Sequence, residues 1–173
     1  VNGAGSNLVV SSDSGSYSQY AYLAGRASFG ARTPGATGTL KVTEGGVFDV
    51  IATGLEENPQ VRFGRDMGTI GVGIVDGEGS QINITQAAQS AHYAGPRMLV
   101  GIQGDGKLTV RNGGAVNLDG ENAQLIVSVA GDSYGPAPTS LLPQSELIIQ
   151  SGGVVTVDQQ GAGFNTIAAG DGV

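Results

Sequence analysis

Cysteine, tryptophan and histidine are almost missing from this chain of 173 residues, which has no Cys, no Trp and a single His. Without Cys there are no disulfides, no thiol catalysis and no thiolate metal sites, and the chain is compatible with export through an oxidising compartment. One imidazole cannot build a metal site of several histidines. The sequence therefore excludes the chemistry that depends on thiols or on histidine clusters.

Charged residues are also scarce, at 13% of the chain, and acids outnumber bases 15 to 8, for a net charge of -7. This balance opposes electrostatic capture by nucleic acid or anionic lipid. No apolar run approaches the roughly 20 residues of a membrane-spanning helix. We expect no nucleic-acid partner and no membrane insertion by this segment.

Glycine is what the chain has in excess, with 31 residues, while 39% of the residues are hydrophobic. There is no strict Gly-X-Y period, and aliphatic residues recur throughout, so neither collagen nor a featureless linker fits. The glycines are therefore expected to form turns between short apolar strands, within one domain over residues 1–173.

Three segments share the pattern L-x-V/I-x-x-G-G-x-V/F: GTLKVTEGGVFDV from Gly38, GKLTVRNGGAVNL from Gly106 and SELIIQSGGVVTV from Ser145. Alternating apolar residues lead into a Gly pair, and a second strand starts directly after it. The pattern predicts these core and corner residues: Leu40, Val42, Gly45, Gly46, Leu108, Val110, Gly113, Gly114, Leu147, Ile149, Gly152 and Gly153.

A second pattern, V-x-G-x-G-S-x-L/I-x-V/I, occurs at Val1 and again at Val75. The two patterns alternate along the chain and define repeat modules at about residues 1–50, 75–118 and 124–157. The chain opens inside the second pattern, and Gly170-Asp171-Gly172 near its end resembles the residues before a strand. We expect either a segment of a longer array or a fibre subunit completed by the next copy.

Short alternating strands, Gly turns and little helical periodicity predict an all-β fold, a right-handed parallel β-helix or β-solenoid with Gly-turn rungs and inserted loops. Val, Ile and Leu would fill a narrow shared core, and Gly and Asn would take the positive-φ corners. Coils of about 20 to 25 residues would give about seven or eight coils. The competing architecture is a β-sandwich or jelly roll.

At these motifs the sequence resembles the passenger regions of bacterial autotransporter (type V secreted) adhesins, whose Gly-rich rungs read G-x-L-x-V-x-x-G-G-x-V. The resemblance covers most of the chain outside the loops. It implies a right-handed parallel β-helix, exported to the bacterial cell surface, that serves as an adhesin, a spacer or a component of a biofilm matrix. Insertions of a dozen or more residues depart from the regular family pattern.

The stretches between the repeats are polar and read as loops: residues 11–22, 52–68, 85–96 and 130–144. Loops that project from a repeat array are frequent binding sites. All five tyrosines lie there and are candidate glycan-stacking or subunit-contact residues: Tyr17, Tyr20, Tyr22, Tyr93 and Tyr134. In one interpretation these tyrosines stack on glycans, and in the other they contact a neighbouring subunit.

Carboxylates are the remaining candidates for chemistry. Paired acids can hydrolyse glycosides when they converge, and the candidates are five of the acids in the first half of the chain: Glu56, Glu57, Asp66, Asp76 and Glu78. Acids next to flexible Gly could instead hold a structural Ca²⁺, for which Asp76, Glu78 and Asp105 are the candidates. The alternative is that these acids simply favour turns.

The sequence favours a non-enzymatic extracellular structural protein, a surface or matrix fibre subunit or an adhesin stalk assembled by stacking of β-coils. Its expected partners are other copies of itself or adjacent repeats of a longer chain. No catalytic residue and no cofactor other than Ca²⁺ is expected. The alternative is a carbohydrate-binding or carbohydrate-cleaving β-helix that uses the Tyr- and acid-rich loops.

Overall fold

The structure is a computed structural model that describes residues 1–12, 20–23, 35–53, 59–86, 95–128, 144–158 and 166–169. Over these ranges the secondary structure consists of strands and turns, without a helix, so no helix there could cross a membrane. The all-β prediction is confirmed.

Fourteen strands follow one another along the chain. They are β1 (Asn7–Ser12), β2 (Tyr20–Leu23), β3 (Thr37–Thr43), β4 (Val47–Ala52), β5 (Gln60–Phe63), β6 (Ile70–Asp76), β7 (Gln81–Gln86), β8 (Arg97–Val100), β9 (Asp105–Arg111), β10 (Ala115–Asp119), β11 (Gln124–Val127), β12 (Glu146–Gln150), β13 (Val154–Asp158) and β14 (Thr166–Ala169).

The strands form three parallel sheets, because each strand pairs with the third strand after it. Sheet I has the order β1-β4-β7-β10-β13, sheet II β2-β5-β8-β11-β14, and sheet III β3-β6-β9-β12. Every strand pair in the described ranges is parallel. β-Sandwiches and jelly rolls are built from antiparallel strands, so this pattern does not favour the competing architecture.

Paired residues are further apart in sequence than the expected 20 to 25 positions. In sheet I, Leu8 pairs with Phe48, 40 positions later, and Phe48 with Ile82, 34 positions later. The expected spacing of 20 to 25 residues was too short, because the chain passes through one strand of sheet II and one strand of sheet III before it returns to sheet I.

The additional strands are those of sheet II, which lie partly in stretches that the sequence indicated to be loops. Residues 52–68 contain β5, in which Gln60 is only 1% exposed and Phe63 is fully buried. Strands of four residues with polar Gln60 and Arg62 at buried positions carry no alternation of apolar and polar residues. Hydrophobic periodicity therefore could not reveal β5.

One apolar core lies between the three sheets and takes residues from each of them. Equivalent positions align in columns, such as Phe48, Ile82 and Val116 in sheet I, so that each side chain packs on the one in the next strand. The predicted core positions Val42, Leu108 and Val110 are fully buried, Leu40 nearly so, and Leu147 packs on the core while partly exposed.

Ile149 does not fit the predicted buried core, since it is 48% exposed. Its register is that of Val110, which is fully buried. The difference arises because β12 is the last strand of sheet III, and no described strand covers its far side.

Candidate functional site

The corners between sheets III and I are the most regular feature of the molecule and carry both sequence motifs. At the Gly-Gly corners the chain turns from β3 to β4, from β9 to β10 and from β12 to β13. In the first of these, Glu44 (φ 55°) and Gly45 (φ 79°) have left-handed backbone, and Gly46 N–H donates to Thr43 O at 3.0 Å. Two successive residues with positive φ, closed by this hydrogen bond, form a type I′ turn. Such a turn favours Gly at its second central position, which Gly45 occupies.

The second Gly of each pair is needed for a different reason. A Cβ at Gly114 would lie 2.7 Å from the carbonyl oxygen of Val75 in the neighbouring strand, and a Cβ at Gly46 would lie equally close to Val1 O. Backbone atoms cannot move aside as a flexible side chain can, so a side chain at these positions forces the neighbouring backbone to shift. In the structure the three Gly pairs lie between β3 and β4, between β9 and β10, and between β12 and β13.

The Gly-x-Gly-Ser motif occupies the equivalent corner before β1 and between β6 and β7. Ser80 is fully buried there; its Oγ donates to Asp76 O at 2.8 Å and accepts from Gly45 N–H at 3.1 Å. Thus a serine hydroxyl joins a Gly-x-Gly-Ser corner to the Gly-Gly corner stacked against it. The sequence showed the two motifs as separate elements, whereas strand pairing makes them neighbours.

The two ends of this stack are exposed. At one end lie Ser6, with Oγ donating to Asn2 O at 2.8 Å, and Leu8, which is 49% exposed. At the other end lie the corner residues Ser151 and Gly152, together with Ile149. Apolar and backbone groups that are covered elsewhere in the stack are therefore accessible here.

A ladder of amides and one carboxylate runs along the outer face of sheet I. Asn83 Nδ2 donates to Asp49 Oδ1 at 2.7 Å, and Asn117 Nδ2 donates to Asn83 Oδ1 at 2.9 Å. Asn7 Nδ2 donates to the other carboxylate oxygen of Asp49 at 3.1 Å. Such a ladder fixes the strand register, because a shift by one residue would break every bond in it.

Asp76 is held by two neighbours, Arg111 at the end of the adjacent strand β9 and Asn112 directly after it. Its Oδ2 accepts from Arg111 Nε at 2.9 Å and Arg111 Nη2 at 2.8 Å, and its Oδ1 accepts from Asn112 Nδ2 at 2.7 Å. The hydrogen bond from Arg111, supported by that from Asn112, lowers the pKa of Asp76 below its ordinary value. Asp76 is therefore an ionised partner of Arg111 at neutral pH.

The candidate calcium ligands are not brought together. Asp76 ends β6, whereas Asp105 begins β9 and pairs with Ile70, so six residues of strand, about 20 Å, separate the two carboxylates along the sheet. Asp105 accepts from Gln144 N–H at 2.8 Å, and Glu78 is exposed at its corner. Within the described ranges no three His, Cys, Asp or Glu side chains are grouped to hold a metal ion.

The candidate ligand-contacting tyrosines fall largely outside what the structure describes. Tyr20 and Tyr22 lie in β2, where they pair with Gln60 and Arg62. Tyr17, Tyr93 and Tyr134 lie outside the described residues, as do Glu56 and Glu57. Asp66 is buried, with Oδ1 3.6 Å from Nη1 of Arg65.

Comparison with known proteins gives no further identification. No protein-family model matches the chain. The searches of curated proteins and of solved structures likewise find no match.

Proposed function

We propose that the chain is a β-solenoid and that its function is structural: a non-enzymatic extracellular protein, either a surface or matrix fibre subunit or an adhesin stalk. In this proposal the chain winds through sheets I, II and III in turn, and three strands make one coil. A right-handed winding is proposed because connections between parallel strands of one sheet are right-handed in about 98% of cases.

The pairing of every strand with the third strand after it carries this proposal. Each additional coil contributes a set of backbone hydrogen bonds and extends the apolar columns, while it contacts only its neighbours. Stability and length then grow together. That property suits a stalk or fibre, which must transmit force along its axis.

The amino-acid composition of the chain supports the proposed extracellular location. The chain has no cysteine to mispair during export, and its low charge permits lateral contact with other surfaces. The resemblance of its Gly-rich rungs to autotransporter adhesin passengers points to the same location, at the bacterial cell surface.

Insertion of one extra coil tests the proposal. Residues 82 and 116 are equivalent in sheet I, so a second copy of residues 82–115 placed after Ala115 adds one coil in register. We expect a folded variant that is longer by about 4.8 Å in small-angle scattering and melts no lower than the parent chain.

The matched control is the same insertion shortened by one residue within its β7 copy, Asn83, which inverts the faces of that strand. We expect this control to melt well below the in-register variant. If both insertions unfold equally, or if the first gives no lengthening, the stacked-coil proposal is wrong. Specific binding on a glycan array, or release of sugars from a polysaccharide, would favour the carbohydrate-directed alternative instead.

A further inference from the structure

The geometry points to a head-to-tail contact between copies of this chain, in which the Gly-x-Gly-Ser corner at Gly3–Ser6 of a second copy sits on the Gly-Gly corner at Ser151–Gly153. The inference rests on the proposed coil stacking and adds the partner, the register and the contacting atoms. Its basis is that the two exposed corners are of complementary kinds.

The chain itself contains a junction of this type. The Gly-Gly corner at Thr43–Gly46 is followed, one coil on, by the Gly-x-Gly-Ser corner at Gly77–Ser80. Two contacts join them: Gly45 N–H donates to Ser80 Oγ at 3.1 Å, and Gln81 N–H donates to Gly46 O at 3.0 Å. This pair is the template for the proposed contact.

The exposed corner near the end of the sequence repeats the first half of the template. Ser151 (φ 51°) and Gly152 (φ 77°) have nearly the same backbone as Glu44 (φ 55°) and Gly45 (φ 79°). Gly153 N–H also closes the turn by donating to Gln150 O at 3.0 Å. The N–H of Gly152 and the carbonyl of Gly153 are therefore presented as those of Gly45 and Gly46 are.

The corner near the start of the sequence repeats the second half. Ser6 Oγ donates to Asn2 O at 2.8 Å, as Ser80 Oγ donates to Asp76 O at the same distance. Superposed on the template, Gly152 N–H would donate to Ser6 Oγ of the second copy. Asn7 N–H of that copy would donate to Gly153 O.

The strands next to these corners are compatible with the contact. Val47 N–H donates to Ser6 O, so by the alternation of a parallel ladder Asn7 N–H faces away from β4. Leu8 would lie on Val155 and Val1 on Ile149, which covers Leu8 and Ile149, two of the exposed apolar side chains. Across β13 and β1 the outward neighbours would be Val154 with Asn7, Thr156 with Val9 and Asp158 with Ser11, without a pair of like charges.

The contact is heterologous, because different surfaces of the two copies meet, and it leaves one free end of each kind. It therefore predicts open filaments whose length rises with concentration. Sedimentation velocity and negative-stain microscopy of the 173-residue chain over a concentration series measure this directly.

Two variants each block one end. Asn7→Pro removes an N–H that faces away from β4, at the first residue of a strand where proline is tolerated, and Asn7→Ala is its control because it removes only the side chain. Ile149→Lys puts a charge where Val1 of the second copy would pack, and Gln150→Lys adds the same charge at the adjacent position. We expect each blocking variant to weaken association about tenfold or more and each control to assemble like the parent chain.

Mixing the two blocking variants is the decisive step, since each retains the end that the other lacks. At a concentration at which the parent chain assembles and each variant alone is monomeric, we expect an equimolar mixture to give a dimer that grows no further. Circular dichroism verifies that all variants are folded. A parent chain that stays a monomeric rod at every concentration overturns the contact but leaves the stacked-coil function standing, whereas a parent chain without a rod shape overturns that function too. Filaments insensitive to both variants, or a mixture without dimers, also overturn the contact.

Discussion

Adjacent glycines at one corner should respond very differently to the same substitution. Gly113 has φ 80°, and an added Cβ would meet nothing closer than 3.4 Å, which is ordinary van der Waals contact. Alanine there costs only the left-handed backbone strain, about 1–2 kcal/mol. We therefore expect Gly113→Ala to remain folded with a moderate loss of stability.

Gly114 has no positive φ, but a Cβ there would lie 2.7 Å from Val75 O and 3.1 Å from Arg111 O. The clash is with backbone, so the corner between β9 and β10 must move away from the end of β6. This weakens the hydrogen bonds that flank the corner, from Ala115 N–H to Ser80 O at 2.9 Å and from Val154 N–H to Gly114 O at 3.0 Å. Overpacking and two weakened bonds together cost about 3 kcal/mol or more.

Thermal and urea unfolding followed by circular dichroism measure both variants. For a chain of this length about 1 kcal/mol corresponds to about 2–4 °C, so we expect a loss of about 2–8 °C for Gly113→Ala and of about 6 °C or more for Gly114→Ala. Gly113→Asn is the matched control, because asparagine tolerates left-handed backbone, as Asn112 does with φ 53°. The reasoning would be refuted if Gly114→Ala melted with the parent chain, or if Gly113→Ala were the more damaging change.

Gly73→Ala should cost about 1–3 kcal/mol, because its Cβ would lie 2.6 Å from Cζ of Phe63; adding Phe63→Leu should recover part of that loss, and strictly additive urea midpoints would contradict the pairing. Arg111 lowers the pKa of Asp76 in the folded chain, so the stabilisation by this carboxylate is present above the ordinary aspartate pKa of about 3.9 and is lost as pH falls through the lower folded value. The parent chain should thus be more stable than Asp76→Asn at pH 7, and the difference should vanish in strong acid; a difference in melting temperature that is independent of pH would be inconsistent with this. Asn83→Ala breaks two bonds of the amide ladder and should cost about 1–2 kcal/mol, whereas an unchanged urea midpoint would show that the ladder does not stabilise the fold.

The local part of the fold could be predicted from the sequence. Alternation at Leu40 and Val42 and again at Leu108 and Val110 places the strands, and the Gly pairs place the corners between them. Both signals arise from interactions within a few residues of the chain, namely the period of two in a strand and the φ that a turn requires. The strands therefore begin directly after the Gly pairs, as the motif predicts.

Sheet II could not be predicted in this way. Its strands are four residues long. Because β5 carries the polar residues Gln60 and Arg62 at buried positions, the hydrophobicity of its sequence does not indicate that it is buried. The same holds for Ile149, whose apolar pattern equals that of buried Val110 but whose exposure depends on whether another strand lies beyond it. The candidate calcium ligands carry the carboxylates that Ca²⁺ binding requires. Only the strand register shows that Asp76 and Asp105 lie at opposite ends of the paired strands β6 and β9.

By itself the sequence determined which residues extend, which turn, and which face of β3, β4, β9 and β10 is apolar, because these properties follow from local backbone sterics and side-chain polarity. The tertiary structure alone decided which strands pair and that equivalent positions recur at every third strand. It also decided that the two Gly motifs stack on each other. Pairing joins residues 34 to 40 positions apart in sheet I, as at Phe48–Ile82 and Leu8–Phe48, and its free energy comes from hydrogen bonds and packing that exist only after the chain has closed on itself.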